Sequence, residues 1–297
     1  MPNSTMKIFE TKQALQDFID EHRSKNDLIG FVPTMGALHE GHLSLIEKSK
    51  EQSAVTVCSI FINPTQFNDP KDFEKYPKTI NEDLQKLELA GCEAVFHPSV
   101  SEMYPEGMHQ LPHYPLGRLE ELWEGAHRPG HFQGVCVIVH RLLEAVRPDL
   151  LFMGSKDFQQ VAVIRQLLAQ YSFEPTIELI SCETVREASG LAMSSRNVRL
   201  SPEQKIQALA IYHGFDTIQK AIKEQITCST KELEQQFAQQ LLDAGFESVD
   251  YIAFADPKSL EPIIDLSQTF VVLVAAFIGG VRLIDNQLFP HEQFKRV

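Results

Sequence analysis

Two histidines three residues apart close the decamer Pro33-Thr34-Met35-Gly36-Ala37-Leu38-His39-Glu40-Gly41-His42. Where a strand gives way to a helix, free backbone N–H groups and the helix dipole attract an anion. Gly36 and Gly41 let the backbone approach it closely. Both imidazoles could then face a triphosphate and donate hydrogen bonds as negative charge builds in a transition state. The stretch is neither G-x-G-x-x-G nor a P-loop ending in G-K-[ST]. Nor is it the H-E-x-x-H zinc helix, since the histidines stand at i and i+3 and no third ligand is apparent. The plain alternative is a glycine-rich turn with two solvated histidines.

Four further stretches offer polar chemistry. In Thr184–Asn197, Met193-Ser194-Ser195-Arg196 puts hydroxyls and a guanidinium in one loop beside Gly190. Such a loop can clamp phosphate oxygens, arginine bidentately, or it can be a polar linker with a serine N-cap. In Gly154-Ser155-Lys156-Asp157-Phe158-Gln159-Gln160, Lys156 could neutralise a phosphate, Asp157 could orient Lys156 or serve the adenosine side, and Gln160 could face a polar substrate, or the stretch is a loop with a capped helix start. Asn63-Pro64-Thr65-Gln66-Phe67 offers neutral amides for hydroxyl or carboxylate recognition. His127-Arg128-Pro129-Gly130-His131-Phe132 could cover a site or be purely structural.

Strands must position these loops. Apolar runs at Leu28–Val32, Ala54–Ile62, Cys92–Phe96, Leu150–Met153 and Thr176–Ser181 read as buried strands. They alternate with helical patterns starting at Leu43 and spanning Ile80–Leu89, 132–147 and 158–170. That alternation predicts an α/β fold: a Rossmann-like, doubly wound parallel sheet, with ligands at the strand C-termini. After about residue 182, helices at 202–224 and 230–243 precede strands at Val249–Phe254, Phe270–Phe277 and Val281–Ile284. A second, smaller α+β domain is expected, with the division at 1–182 and 183–297.

Composition narrows the function. The chain has 297 residues, 43% hydrophobic and 23% charged, with a net charge of −13. Such a balance belongs to a globular protein and disfavours nucleic acid as a partner. Five cysteines lie far apart, with no C-x-x-C pair, so they read as buried small hydrophobes in a reducing compartment. Met1–Glu10 shows no signal peptide and no run reaches the roughly 20 apolar residues of a membrane span, so a cytoplasmic protein without a membrane partner is expected.

Six segments in order resemble the pantothenate synthetase (pantoate–β-alanine ligase) family, within the nucleotidylyltransferase-like group: 32–46, 59–67, 76–79, 128–135, 154–160 and 184–197. Arg-Leu-Ile-Asp-Asn at 282–286 echoes it near the end. The resemblance implies that pantoate and ATP form pantoyl adenylate and pyrophosphate, after which β-alanine displaces AMP to give pantothenate. His39 and His42 match the HxGH pair that contacts ATP, Lys156 the phosphate lysine, and Met193 with Ser194, Ser195 and Arg196 the KMSKS-like loop. Gln66 and Gln160 match the glutamines that hold pantoate, with Pro33, Met35 and Asn63 beside them. Gly154, Asp157 and Val185 match positions near adenine and ribose, Met35 also falling among the ATP contacts. Mg²⁺ is implied by the ATP chemistry, with Asp83 a candidate ligand, and a homodimer is implied through the first domain. Ser155 and Ser189 depart from the acidic residues usual in the family, and Cys136 and Val137 from its pattern in the helix after Gly134.

Overall fold

All six residues of Val55–Ile60 are buried, the mark of a strand inside a parallel sheet covered on both faces. The computed structural model describes residues 6–68, 70–224 and 229–291. Residues 1–5 and Cys228, which the sequence reading touched, lie outside that set. Six strands form one parallel sheet: β1 (Lys7–Phe9), β2 (Ile29–Thr34), β3 (Val55–Ile60), β4 (Ala94–Phe96), β5 (Leu150–Gly154) and β6 (Glu178–Cys182). Their order is β1-β4-β3-β2-β5-β6. The chain therefore winds outward from β2 through β3 in one direction and through β5 in the other. This reversal opens a crevice beyond the carboxyl ends of β2 and β5, where α/β sheets bind ligands.

The chain divides into two compact units. Met1–Glu120, Arg128–Ser155 and Gln160–Thr184 form the first; Glu121–His127, Lys156–Gln159 and Val185–Val297 form the second. In the first, the helix Glu40–Gln52 buries Leu45, Ile46 and Ser49, joining a core that includes Val32, Cys58, Leu87, Val95 and Phe152. In the second, β7 (Ser248–Ala255), β8 (Phe270–Ile278) and β9 (Val281–Phe289) make an antiparallel sheet. Its apolar residues share a core with Ile211, Phe215 and Ile218 of the helix Ala210–Lys223 and Leu233, Phe237 and Leu241 of the helix Thr230–Asp243. The short helix Trp123–His127 belongs here because buried Glu124 pairs with Arg282 at 2.7 Å and accepts from the Tyr251 hydroxyl at 2.8 Å. Burial and the Glu124 carboxylate push that phenol well above its ordinary pKa, which keeps it a donor.

The parallel α/β sheet and the smaller α+β unit are as the alternation of patterns predicts. Three local differences stand out. The strand β1 and the helix Lys12–Arg23, capped by Thr11 and burying Leu15, Phe18 and Ile19, have no counterpart in the sequence reading. The single helix expected over 202–224 is two, Pro202–Ala208 and Ala210–Lys223. They break at Leu209, whose N–H turns back to the Ile206 carbonyl at 3.2 Å. The strand expected to end at Ile284 runs to Phe289 because β8 pairs with it throughout. Among the described residues, no helix is long and apolar enough to cross a membrane.

Cys58, Cys92 and Cys136 are buried and Cys182 half-buried, all four as free thiols. Burial raises the Cys58 thiol well above its ordinary value and pushes Cys92 and Cys136 up to about 12. Since the thiolate is the reactive form, these three are expected to resist alkylation in native protein at about pH 8, with Cys182 labelling ahead of them. Peptide mapping of native against unfolded protein checks this; rapid native labelling of Cys58 would contradict it.

Candidate active site

Beyond β2 the chain turns sharply. The Thr34 hydroxyl donates to the Ser59 carbonyl at 2.7 Å and accepts from Gly36 N–H at 3.2 Å. Gly36 sits at φ +80°, and a Cβ there would meet Asp83 Oδ2 at 3.0 Å. Ala37 follows at φ +51°, a left-handed conformation costing an alanine roughly 1–2 kcal/mol. Asp83, 1% exposed, offsets that cost: Oδ2 accepts from Ala37 N–H at 2.9 Å and Oδ1 from Leu38 N–H at 2.8 Å. The Thr79 hydroxyl donates to Oδ2 at 3.1 Å.

This turn delivers His39 as the N-cap of the helix Glu40–Gln52. His39 Nδ1 accepts from Gly41 N–H at 3.2 Å, and His42 Nδ1 accepts from His39 N–H at 3.3 Å. A ring nitrogen that accepts carries no proton, so each neutral imidazole holds its proton on Nε2. The ring centroids are 4.1 Å apart and the ring planes are tilted by 41°. Two Nε2–H donors at a helix start suit an anion that gains charge.

Gln66 Nε2 lies 3.1 Å from Met35 Sδ, and Pro33 lies half-buried in β2. Asn63 is 1% exposed and its carboxamide is engaged inside the protein. Oδ1 accepts from the Tyr104 hydroxyl at 2.6 Å and the Thr65 hydroxyl at 3.1 Å; Nδ2 donates to the Gly134 carbonyl at 3.1 Å and Gln66 Oε1 at 3.2 Å. Because Asn63 donates to Gln66 Oε1, the Gln66 amide is oriented with Nε2 as its donor. Asn63 thus has the geometry of a holder of Gln66 rather than of a direct ligand contact. The segment raised as a possible cover is also a support: His131 Nδ1 donates to the Gln66 carbonyl at 2.8 Å, and Arg128 reaches the same oxygen at 3.4 Å. Gly154 ends β5 and Gln160 lies on the first turn of the helix Phe158–Gln170, half-buried.

The second unit holds the other group of candidates. Lys156 and Ser194 line one recess with Asn197, Tyr212 and Asp285. Lys156 Nζ lies 3.9 Å from Asp157 Oδ1. The loop expected over 184–197 closes on itself through an antiparallel bridge, Arg186 to Ala192, and Met193 N–H donates to the Val185 carbonyl at 3.0 Å. Ser194 caps the 3₁₀ turn Ser195–Arg199, its hydroxyl oxygen accepting from Arg196 N–H at 3.2 Å. The cap and a phosphate role are compatible, because a hydroxyl that accepts retains a proton to donate.

Two departures from the family pattern are absorbed locally. Ser155 pairs with the Thr184 hydroxyl at 3.3 Å, and Cys136 and Val137 are core residues. Asp83, the candidate magnesium ligand, holds the turn before His39 with both of its oxygens. Among the described residues, no three His, Cys, Asp or Glu side chains form a metal-binding group. Sequence reasoning gave no role to Asp83 as a turn anchor, to Tyr104, or to Arg186, Asp285 and Asn286. The last three fall inside the motifs that carry the family resemblance, which was the available signal.

Known proteins resemble this chain along nearly its whole length. The family model described as Pantoate-beta-alanine ligase matches residues 7–288. The pantothenate synthetase of Cytophaga hutchinsonii is 44% identical over 278 residues, spanning 92% of this chain and 96% of that protein. That of Thermotoga petrophila is 40% identical over 283 residues, spanning 95% and 99%. Among solved structures, pantothenate synthetase from Thermus thermophilus superimposes with a TM-score of 0.87 at 37% identity, covering 95% of this chain and 99% of that one. Pantoate-beta-alanine ligase from Francisella tularensis, complexed with beta-gamma ATP and beta-alanine, gives 0.78 at 34% identity, covering 95% and 97%. The match over residues 7–288 and relatives 40–44% identical over nearly their whole length show that this chain belongs to the pantoate–β-alanine ligase family.

Proposed function

We propose that the chain condenses pantoate with β-alanine through a pantoyl-adenylate intermediate. The pantoate carboxylate attacks the α-phosphorus of ATP, and the bond to pyrophosphate breaks. The β-alanine amine then attacks the acyl carbon and AMP leaves with the activated oxygen. The observation that carries this reading is the histidine pair at the start of the helix Glu40–Gln52. Each Nδ1 accepts a backbone N–H, which leaves Nε2–H as the donor that an anion at this helix start would take. Gln66 and Gln160 would bind pantoate, with Pro33 and Met35 lining its site.

Lys156, Ser194, Ser195 and Arg196 would neutralise the phosphates, with Gly154, Asp157, Val185 and Met193 on the nucleoside side. The reaction requires both sets to act on one ATP molecule. Positioning and charge neutralisation then supply the rate, without a covalent enzyme intermediate. Magnesium would travel with ATP, held by phosphate oxygens and water; it supplies further charge neutralisation. A homodimer in the cytoplasm completes the proposal.

The test is product identity with isotope tracking. Pantoate labelled with ¹⁸O in its carboxylate, incubated with ATP, Mg²⁺ and β-alanine, is expected to give pantothenate, pyrophosphate and AMP carrying one labelled oxygen. ADP and inorganic phosphate, or unlabelled AMP, would refute the adenylate.

A further inference from the structure

Arg-Leu-Ile-Asp-Asn at 282–286 has no role in the proposed reaction, yet its last two residues touch both elements assigned to the phosphates. Asp285 and Asn286 are consecutive residues of β9, 5% and 8% exposed. Successive side chains of a strand point to opposite faces, so neighbouring positions can serve two different partners. The Asp285 carboxylate receives Arg186 bidentately, Nη1 to Oδ2 at 2.6 Å and Nη2 to Oδ1 at 2.9 Å. Asn286 Nδ2 donates to the backbone carbonyl of Lys156 at 2.8 Å. The pair is itself linked, Asn286 N–H donating to Asp285 Oδ1 at 2.8 Å.

Arg186 carries the constraint into its loop. Nη1 also donates to the Gly190 carbonyl at 3.1 Å, and the guanidinium lies 5.3 Å from the centroid of the Tyr212 ring. A Cβ on Gly190 would come within 2.8 Å of that ring, so the turn, the arginine and the tyrosine form one close-packed layer. Asp285 also lines the recess that holds Lys156 and Ser194. A lysine is a point charge on a flexible stem, and a loop hydroxyl is only as well placed as its loop. Both therefore depend on how their backbone is anchored.

We propose that Asp285 and Asn286 are positioning residues for the triphosphate. Asn286 fixes the backbone at Lys156, and Asp285, through Arg186, fixes the loop that presents Ser194, Ser195 and Arg196. The inference rests on the phosphate roles proposed for those residues.

Calorimetry of ATP and of AMP on full-length Asn286→Ala, Asp285→Asn, Lys156→Ala and Lys156→Ala/Asn286→Ala tests it, together with steady-state kinetics. Losing the Asn286 bond is expected to weaken ATP binding and lower kcat by about tenfold each, with AMP binding and the pantoate KM changed less than about twofold. In the Lys156→Ala background, Asn286→Ala is expected to add nothing, because it acts through that lysine. Equal losses for ATP and AMP, or full additivity with Lys156→Ala, would reduce the contact to a structural one and overturn the proposal. If Lys156→Ala keeps ATP binding and turnover, the lysine's phosphate role fails and the positioning role falls with it. If Lys156→Ala loses both while Asn286→Ala and Asp285→Asn lose neither, only the positioning role fails. Should Asp285→Asn not fold, with its arginine left unpaired, Asn286→Ala decides alone.

Discussion

Replacing His42 with alanine is expected to lower kcat by about 10²–10³-fold while leaving the pantoate KM little changed, the signature of a lost donor to developing charge. The substitution has a second consequence. His42 Nδ1 accepts from His39 N–H and so completes a capping box at the start of the helix Glu40–Gln52. Alanine loses that bond as well, at a stability cost of about 1 kcal/mol. His42→Gln separates the two effects, since glutamine at this position can return to the N-cap N–H. It is expected to keep a Tm close to the parent and to lose kcat as deeply as the alanine variant. Steady-state kinetics with thermal melts on both variants decide the matter. Full activity in His42→Gln would show that the imidazole serves only as a cap.

Gly134→Ala is expected to be the most damaging single methyl group around Gln66. Gly134 lies in the buried helix His131–Val146, and a Cβ there would stand 2.2 Å from the Thr65 carbonyl oxygen and 2.8 Å from Gln66 Cα. These neighbours are backbone, so no side chain can swing aside. The helix or the 63–67 turn must move by about 1 Å, at a cost of roughly 1–3 kcal/mol. The same movement disturbs the bond from Asn63 Nδ2 to the Gly134 carbonyl, and with it the amide that orients Gln66. A displacement of that size can cost about 10²-fold in a positioned reaction. The expected result is a lower Tm and a pantoate kcat/KM reduced about 10²-fold, with ATP binding retained. Parent-like kinetics in a stably folded Gly134→Ala would mean that the turn accommodates the methyl group and that its position is not critical.

Local and long-range information separate cleanly in this chain. The run Ala54–Ile62 reads as a buried strand, and the alternation around it as a parallel α/β sheet. Patterns of this kind are written in neighbouring residues, because burial repeats with the backbone period. The helix Lys12–Arg23 carried the same type of signal in Thr11, Leu15, Phe18 and Ile19, but its apolar stripe is narrow. The end of β9 carried none, since its extent follows from pairing with β8.

What the sequence alone determined was the chemistry on offer: imidazoles after the second strand, amides after the third, a lysine after the fifth and a hydroxyl-rich loop beyond the sixth. Residue type and local spacing suffice for that. Only tertiary structure decided which groups hold the others in place. Asn63 turns inward to a carbonyl 71 positions away, Asp83 reaches back 46 positions to hold a strained turn, and Asp285 meets Arg186 across 99. A carboxylate or carboxamide can bind a substrate or satisfy a buried N–H equally well. Its role depends on which partner the packed chain brings within hydrogen-bond distance, and spacing along the sequence does not encode that distance.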